Sequence, residues 1–396
     1  MLESLSEQEQ RYFFHTYKRL SVEIERGEGP LLFDRKGKQY LDFFGGLAVN
    51  ALGYNYPTVT QAIIDQAQKY NHLSNYFIQE TQILLAEKII SASGFNRIFF
   101  SNSGTEAVEG AIKLARKWGK EQGKTKLLAL SNAFHGRTYG PLSLMDKPKY
   151  KDGYEPFLEN MGSIKHNDVQ ELRSAVNEQT LGVILEFIQG EGGICMVNAE
   201  YVDELKKLRD QFGFLIIADE IQSGIGRTGK FFGFEHFNIQ PDIAVIAKAI
   251  GGGLPLGAIL GNERVAEVFT YGVHGTTFGG NPVACAAGIA VMNAVLDSGL
   301  MIHAGEIGEY LKQSFLQLQK EFPAFIKEVR GLGCMLGIEL FREGQPYVDA
   351  LMERGFLVNC TNVNVLRFLP PYIVTRDQCD QLVAAMRKVF QEVAHK

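Results

Sequence analysis

The sequence predicts an α/β protein, with a large domain built on a mostly parallel sheet flanked by helices and a small α+β domain drawn from both chain ends. Three observations lead there. From about residue 58, segments with helical apolar spacing alternate with short, wholly apolar runs, the pattern of parallel strands buried on both faces. Those runs end repeatedly in turns rich in glycine, hydroxyl or charged residues. Beyond about residue 296 the alternation gives way to long helices around a few short strands.

Taken in order, Leu31-Leu32-Phe33 and Tyr40–Phe44 flank the turn-forming 34–38 segment and predict an antiparallel unit over 22–44. Helices follow over 58–70 and 81–93, then a strand over 97–100 and a helix over 106–120. Apolar runs at 127–130, 181–185, 214–218 and 243–247 continue the strands, with helices such as 199–212 between them. Helices at 300–321 and 378–394 surround strands near 326–340 and 356–368. The expected division is 1–57 and 296–396 for the small domain and 58–295 for the large one.

Composition narrows the function. In 396 residues, 45% hydrophobic and 21% charged content is ordinary for a soluble protein. A net charge of −5, without a basic tract, argues against a nucleic-acid partner, and no apolar run reaches the length of a membrane span. The start, Met1-Leu2-Glu3-Ser4-Leu5-Ser6-Glu7, has neither a signal core nor transit character, so the cytoplasm is expected. Five scattered cysteines (195, 285, 334, 360, 379) suggest neither a disulfide framework nor a metal site.

The chemistry-bearing residues gather at strand ends. Lys248 closes the run Ile243–Ala247, and Asp219 closes Phe214–Ala218. A desolvated lysine can form an imine with an aldehyde, and a carboxylate can hold a cofactor's ring nitrogen protonated; alone, Lys248 also fits a solvated loop residue. Ser103-Gly104-Thr105-Glu106 opens a helix, where a phosphate site and a capping box are both open readings. In Phe134-His135-Gly136-Arg137 the aromatic ring can stack on a flat group and the arginine can grip a carboxylate, or simply be a surface residue. Glu186 heads a glycine-rich turn, as a functional or a solvated acid. The 274–282 segment, containing Thr277, offers hydroxyls or merely opens a helix. Arg367 lies in an apolar strand and needs a partner, either a salt bridge or an anionic substrate.

Jointly and in this order, from about residue 15 onward, these motifs resemble the class III, fold-type I aminotransferases that use pyridoxal 5′-phosphate (PLP). Gly45–Gly53 is most similar to the amino-terminal motif of the acetylornithine/ornithine group. The resemblance implies that Lys248 anchors PLP and carries the proton, Asp219 pairs with the ring nitrogen, and Gln222 bonds the ring hydroxyl. It places Ser103, Gly104 and Thr105 on the phosphate, Phe134 and Ile221 on the two ring faces, and His135 beside them. In a homodimer, Thr277 would reach the neighbour's cofactor. Arg137 and Arg367 would bind substrate carboxylates, Glu186 would neutralise Arg367, and Tyr17 would help hold the donor.

The implied reaction moves the terminal amino group of N-acetylornithine or ornithine to 2-oxoglutarate. The alternatives are 4-aminobutyrate or another ω-amino acid as donor, an aminomutase, or a non-catalytic metabolite-binding module. A dinucleotide enzyme ranks last, because Gly251-Gly252-Gly253 lacks the fingerprint spacing. Three departures from the family pattern bear on the substrate: Gly53–Pro57 lacks the usual histidines, Phe187 replaces a proline, and Leu254 an aromatic residue.

Overall fold

The computed structural model describes residues 5–394. Strands β1 (Ile24–Glu28), β2 (Leu31–Asp34) and β3 (Gln39–Asp42) form an antiparallel meander. Its turn is fixed by Asp34, whose Oδ1 accepts the N–H groups of Lys36 and Lys38, both at 2.9 Å.

The central sheet contains β4 (Arg97–Ser101), β5 (Lys126–Leu130), β6 (Met161–Ile164), β7 (Thr180–Leu185), β10 (Leu215–Asp219), β11 (Ile243–Ile246) and β12 (Gly257–Gly261). After β7 the chain makes a two-stranded ribbon, β8 (Ile188–Gln189) with β9 (Cys195–Met196). The seven strands lie in the order β4-β12-β11-β10-β7-β5-β6, and β12 alone runs antiparallel to its neighbours. Alternate side chains go to opposite faces. Leu215, Ile217, Ile243 and Val245 join one buried cluster with Ala107, Val108 and Ala111 of helix Gly104–Glu121, while Ile216, Ala218, Ala244 and Ile246 join another. Burial on both faces is why these strands read as unbroken apolar runs.

The carboxyl-terminal region forms a second antiparallel sheet, β13 (Ile326–Leu332), β14 (Met335–Leu340), β17 (Val365–Phe368) and β16 (Asn359–Thr361), in that order, with helices Leu300–Glu321 and Arg376–Ala394. Strand β15 (Phe356–Leu357) instead joins the meander, parallel to β3, so the two chain ends share a sheet.

The expected strands and helices are present, and helix Ala199–Phe212 falls on its predicted bounds. Strands β6 and β12 were not predicted. Met161-Gly162-Ser163-Ile164 lacks an apolar run, and the apolar part of Gly257–Gly261 is bounded by glycines. The consequence for function is geometric: β4, β5, β7, β10 and β11 all point the same way, so their carboxyl ends share one edge.

Candidate active site

That edge opens into a cavity of about 450 Å³, within the range of small-molecule sites. At its floor, Asp219 ends β10 almost fully buried. Its Oδ1 accepts the Ile221 N–H at 3.1 Å, and its Oδ2 lies 2.7 Å from Nδ1 of buried His135. Burial alone would push the His135 pKa down. The hydrogen bond and charge of Asp219 outweigh it, and the net shift is upward. The positive charge that this shift favours on the imidazole lies directly against the Asp219 carboxylate.

Lys248 follows β11 with a left-handed φ of 52°, a strained conformation that turns the chain out of the sheet at this point. Its pKa falls from the ordinary value to about 8, first through burial and then through the positive charge of Arg367; Asp219, Glu191 and Glu186 partly oppose this. The neutral, nucleophilic amine therefore grows as pH rises through about 8 and levels off above. PLP uptake by the apoenzyme is expected to accelerate with a midpoint near that pH. In R367Q the midpoint moves upward, because a charge that disfavours the ammonium is gone; a profile unchanged in R367Q would contradict this account.

The wall facing Lys248 is the start of helix Gly104–Glu121. Ser103 caps it, its hydroxyl accepting the Glu106 N–H at 3.3 Å. The reciprocal half of the predicted box is displaced by one residue: Glu106 Oε2 accepts from Asn102 N–H at 2.6 Å. The first-turn N–H groups of Gly104 and Thr105 have no intrahelical acceptor and sit at the positive end of the helix dipole. Close packing shapes this wall. A Cβ at Gly104 would meet Ile221 at 2.8 Å, and one at Gly190 would meet Gln222 at 2.3 Å. Gln222 lines the cavity, and its buried amide oxygen has no protein partner, a polar atom waiting for a ligand.

Phe134 and Arg137 line the opposite side, Phe134 with its ring edge-on to Tyr150. Arg137 is exposed at the mouth, its guanidinium 3.8 Å from the centroid of the Tyr150 ring. Tyr150 was not foreseen; its short helix, Pro148–Lys151, carried no motif.

The expected pairing of Glu186 with Arg367 is corrected. Glu186 lines the cavity and accepts the N–H groups of Phe134 at 2.9 Å and Gly190 at 3.0 Å. Burial, and then Asp219, raise its pKa to about 7. The partner of Arg367 is Glu191, at 2.6 Å, because the turn after β7 folds Glu186 inward and carries the acid five residues later across to β17. Burial pushes the Glu191 pKa up, but the charge of Arg367 and its hydrogen bond prevail and the net direction is down. An acid set between Gly190 and Gly192 was the available signal. Arg367 is buried behind Glu191 and does not itself line the cavity. Two other expected residues lie outside it. Tyr17 is 74% exposed, beside Arg19, on the segment preceding β1. Thr277 is exposed on the loop ahead of helix Pro282–Met292.

A buried lysine with a depressed pKa, a buried carboxylate and the free N–H groups of a helix start, all lining one cavity, suit an aldehyde-bearing phosphorylated aromatic cofactor. The aminotransferase class-III family model matches residues 12–390. The chain belongs to the class-III aminotransferases. This class-III aminotransferase is 44% identical to the acetylornithine aminotransferase of Aquifex aeolicus (strain VF5) over 96% of the chain and 100% of that relative. It is 39% identical to ornithine aminotransferase 1 of Staphylococcus aureus (strain Mu50), over 98% of the chain and 100% of that relative. The structure of the Toxoplasma gondii ornithine aminotransferase, which has partial occupancy of PLP at its active site, superposes with a TM-score of 0.93 at 29% identity, covering 98% of this chain and 94% of that one. PLP is the cofactor of this transaminase, as the fold-type I architecture and family membership require. Among the described residues no His/Cys/Asp/Glu cluster fit for a metal is present, and no single helix is long and apolar enough to cross a membrane.

Proposed function

We propose that this transaminase moves the terminal amino group of N-acetylornithine or ornithine to 2-oxoglutarate, leaving a semialdehyde and forming glutamate. The observation that carries this reading is a pair of unequal arginines. Arg137 stands at the mouth without a carboxylate partner among the described residues, whereas Arg367 is buried and covered by Glu191. A donor with one carboxylate far from its reacting amine needs only the first. A dicarboxylate acceptor needs the second as well, which Glu191 can surrender. The relatives named acetylornithine and ornithine aminotransferases support the same choice.

PLP supplies the carbonyl that takes up the amine and the ring that draws electrons from the reacting carbon. In our reading Ser103, Gly104 and Thr105 hold its phosphate at the helix start, and Phe134 and Ile221 enclose the ring. Gln222 bonds the ring hydroxyl. Asp219, backed by His135, holds the proton on the ring nitrogen. Lys248 Nζ, neutral at a moderately alkaline pH, anchors the cofactor between turnovers and moves the proton once the donor displaces it. Thr277, exposed here, would complete the phosphate site of a second copy in a homodimer. The five unpaired cysteines fit the cytoplasm.

Steady-state comparison of donors tests the reading. N-acetylornithine or ornithine should give a kcat/KM at least about tenfold above 4-aminobutyrate, whose carboxylate lies one carbon closer to its amine and so reaches Arg137 less well; one weakened contact to a charged group changes binding by roughly that factor. Preference for 4-aminobutyrate would overturn it, and turnover that does not need added 2-oxoglutarate would point to an aminomutase.

A further inference from the structure

We propose that Thr361, through its hydroxyl, is a positioning residue that sets how easily the Glu191–Arg367 pair opens and so balances the two half-reactions. The proposal rests on the reading above, in which Arg367 receives the second carboxylate of the acceptor.

Admitting a dicarboxylate requires two things of this pair: Arg367 must keep its orientation when Glu191 leaves, and Glu191 must have somewhere to go. Strand register answers the first. In the antiparallel pairing of β16 with β17, Asn359 lies directly opposite Arg367. Asn359 Oδ1 accepts from Arg367 Nε at 3.0 Å and from Nη2 at 2.6 Å. The guanidinium thus stays held along one edge while Nη1, now on Glu191 Oε1 at 2.6 Å, is released for a substrate.

Two residues further back along β16, Thr361 meets the second requirement. It lies opposite Val365 and is buried. Its Oγ1 is 3.1 Å from the main-chain oxygen of Glu191 and 3.4 Å from the carboxylate Oε2. A hydroxyl has one hydrogen to donate, so it serves one acceptor at a time. The main-chain oxygen has a second donor, Lys147 Nζ at 3.1 Å. While Glu191 is bound to Arg367, the hydroxyl hydrogen sits on the nearer main-chain oxygen. When the carboxylate rotates off Arg367, the hydroxyl turns to it and Lys147 alone keeps the main-chain oxygen satisfied. No buried group is left unpaired, which is where the penalty for opening would otherwise fall. Because Lys147 holds the Glu191 backbone before and after, opening is a rotation of one side chain and not a movement of the loop.

Thr361→Val, nearly the same shape, and Thr361→Ala remove the hydrogen; Thr361→Ser keeps it. Half-reactions followed separately by cofactor absorbance give the comparison. Both hydroxyl-free variants are expected to lower kcat/KM for 2-oxoglutarate about tenfold, mainly through KM, as loss of one hydrogen bond to a charged group implies. Donor half-reactions, and pyruvate as a monocarboxylate acceptor, should change less than about twofold. Calorimetric affinity for glutarate, an unreactive dicarboxylate, should fall by the same factor as kcat/KM, and T361S should match the wild type. Equal losses with donor and acceptor, or a dicarboxylate preference that survives in T361V and T361A, would overturn the proposal alone. A wild type that does not prefer 2-oxoglutarate to pyruvate would overturn the reading of Arg367, and the proposal with it.

Discussion

K248A is expected to lower turnover about 10⁴-fold, the upper range for removal of a positioned acid–base group, and to abolish the PLP mass that borohydride fixes on the Lys248 peptide of the wild type. Two separate tasks are lost together. The amine at the end of β11 is held in a strained backbone conformation and is depressed to about pKa 8, so a usable fraction is nucleophilic near neutrality. The same atom is the base nearest the reacting carbon in our reading. K248R separates charge from chemistry: the guanidinium keeps the positive charge, cannot deprotonate and should be as inactive as alanine. A small primary amine added to K248A should restore part of the proton transfer, with a rate that follows the neutral amine and therefore rises with pH. Retention of turnover within tenfold of the wild type in K248A would end the assignment of Lys248.

How much of this was legible in the sequence depended on whether the signal was local. The strand runs ending at Ser101, Leu185, Asp219 and Lys248 could be read because burial on both sheet faces demands unbroken apolar stretches. Their joint position at one edge then followed from parallel topology. Strand β12 escaped because Gly257–Gly261 carries a glycine at each end and little β-branched density, although it closes the sheet between β11 and β4. The gathering of Ser103, Asp219 and Lys248 around one cavity was legible for a similar reason: each stands next to the element that positions it. The substrate side was not. Which acid meets Arg367 depends on how the turn after β7 folds over β17, 176 residues away in sequence, and the glycines flanking Glu191 mark a turn without naming its partner. Thr361 and Asn359 were silent for the same reason. They matter only through the register of β16 on β17. Tyr17, whose role came from the family resemblance alone, is 74% exposed and outside the cavity of the single chain.

D219N is the second large effect, expected to reduce kcat about 10²- to 10³-fold, the usual loss when one preorganised electrostatic partner is removed, with donor affinity changed far less. Asparagine fits the space and its oxygen can still accept the Ile221 N–H, which Asp219 Oδ1 now accepts at 3.1 Å. Its amide nitrogen would then face His135 Nδ1, where Asp219 Oδ2 now lies at 2.7 Å. Two donors cannot share that contact, so His135 must become neutral with a lone pair on Nδ1. The upward shift of its pKa, which depends on the aspartate, disappears, and burial then drives it below the ordinary value. Nitrogen-detected titration should therefore show His135 titrating above the ordinary histidine value in the wild type and below it in D219N. D219E, which restores the charge with a longer arm, should recover both the titration and part of kcat. A D219N enzyme that lost kcat while His135 kept its raised pKa would mean that the two residues act independently, and the carboxylate would then have to hold the ring nitrogen without help from behind.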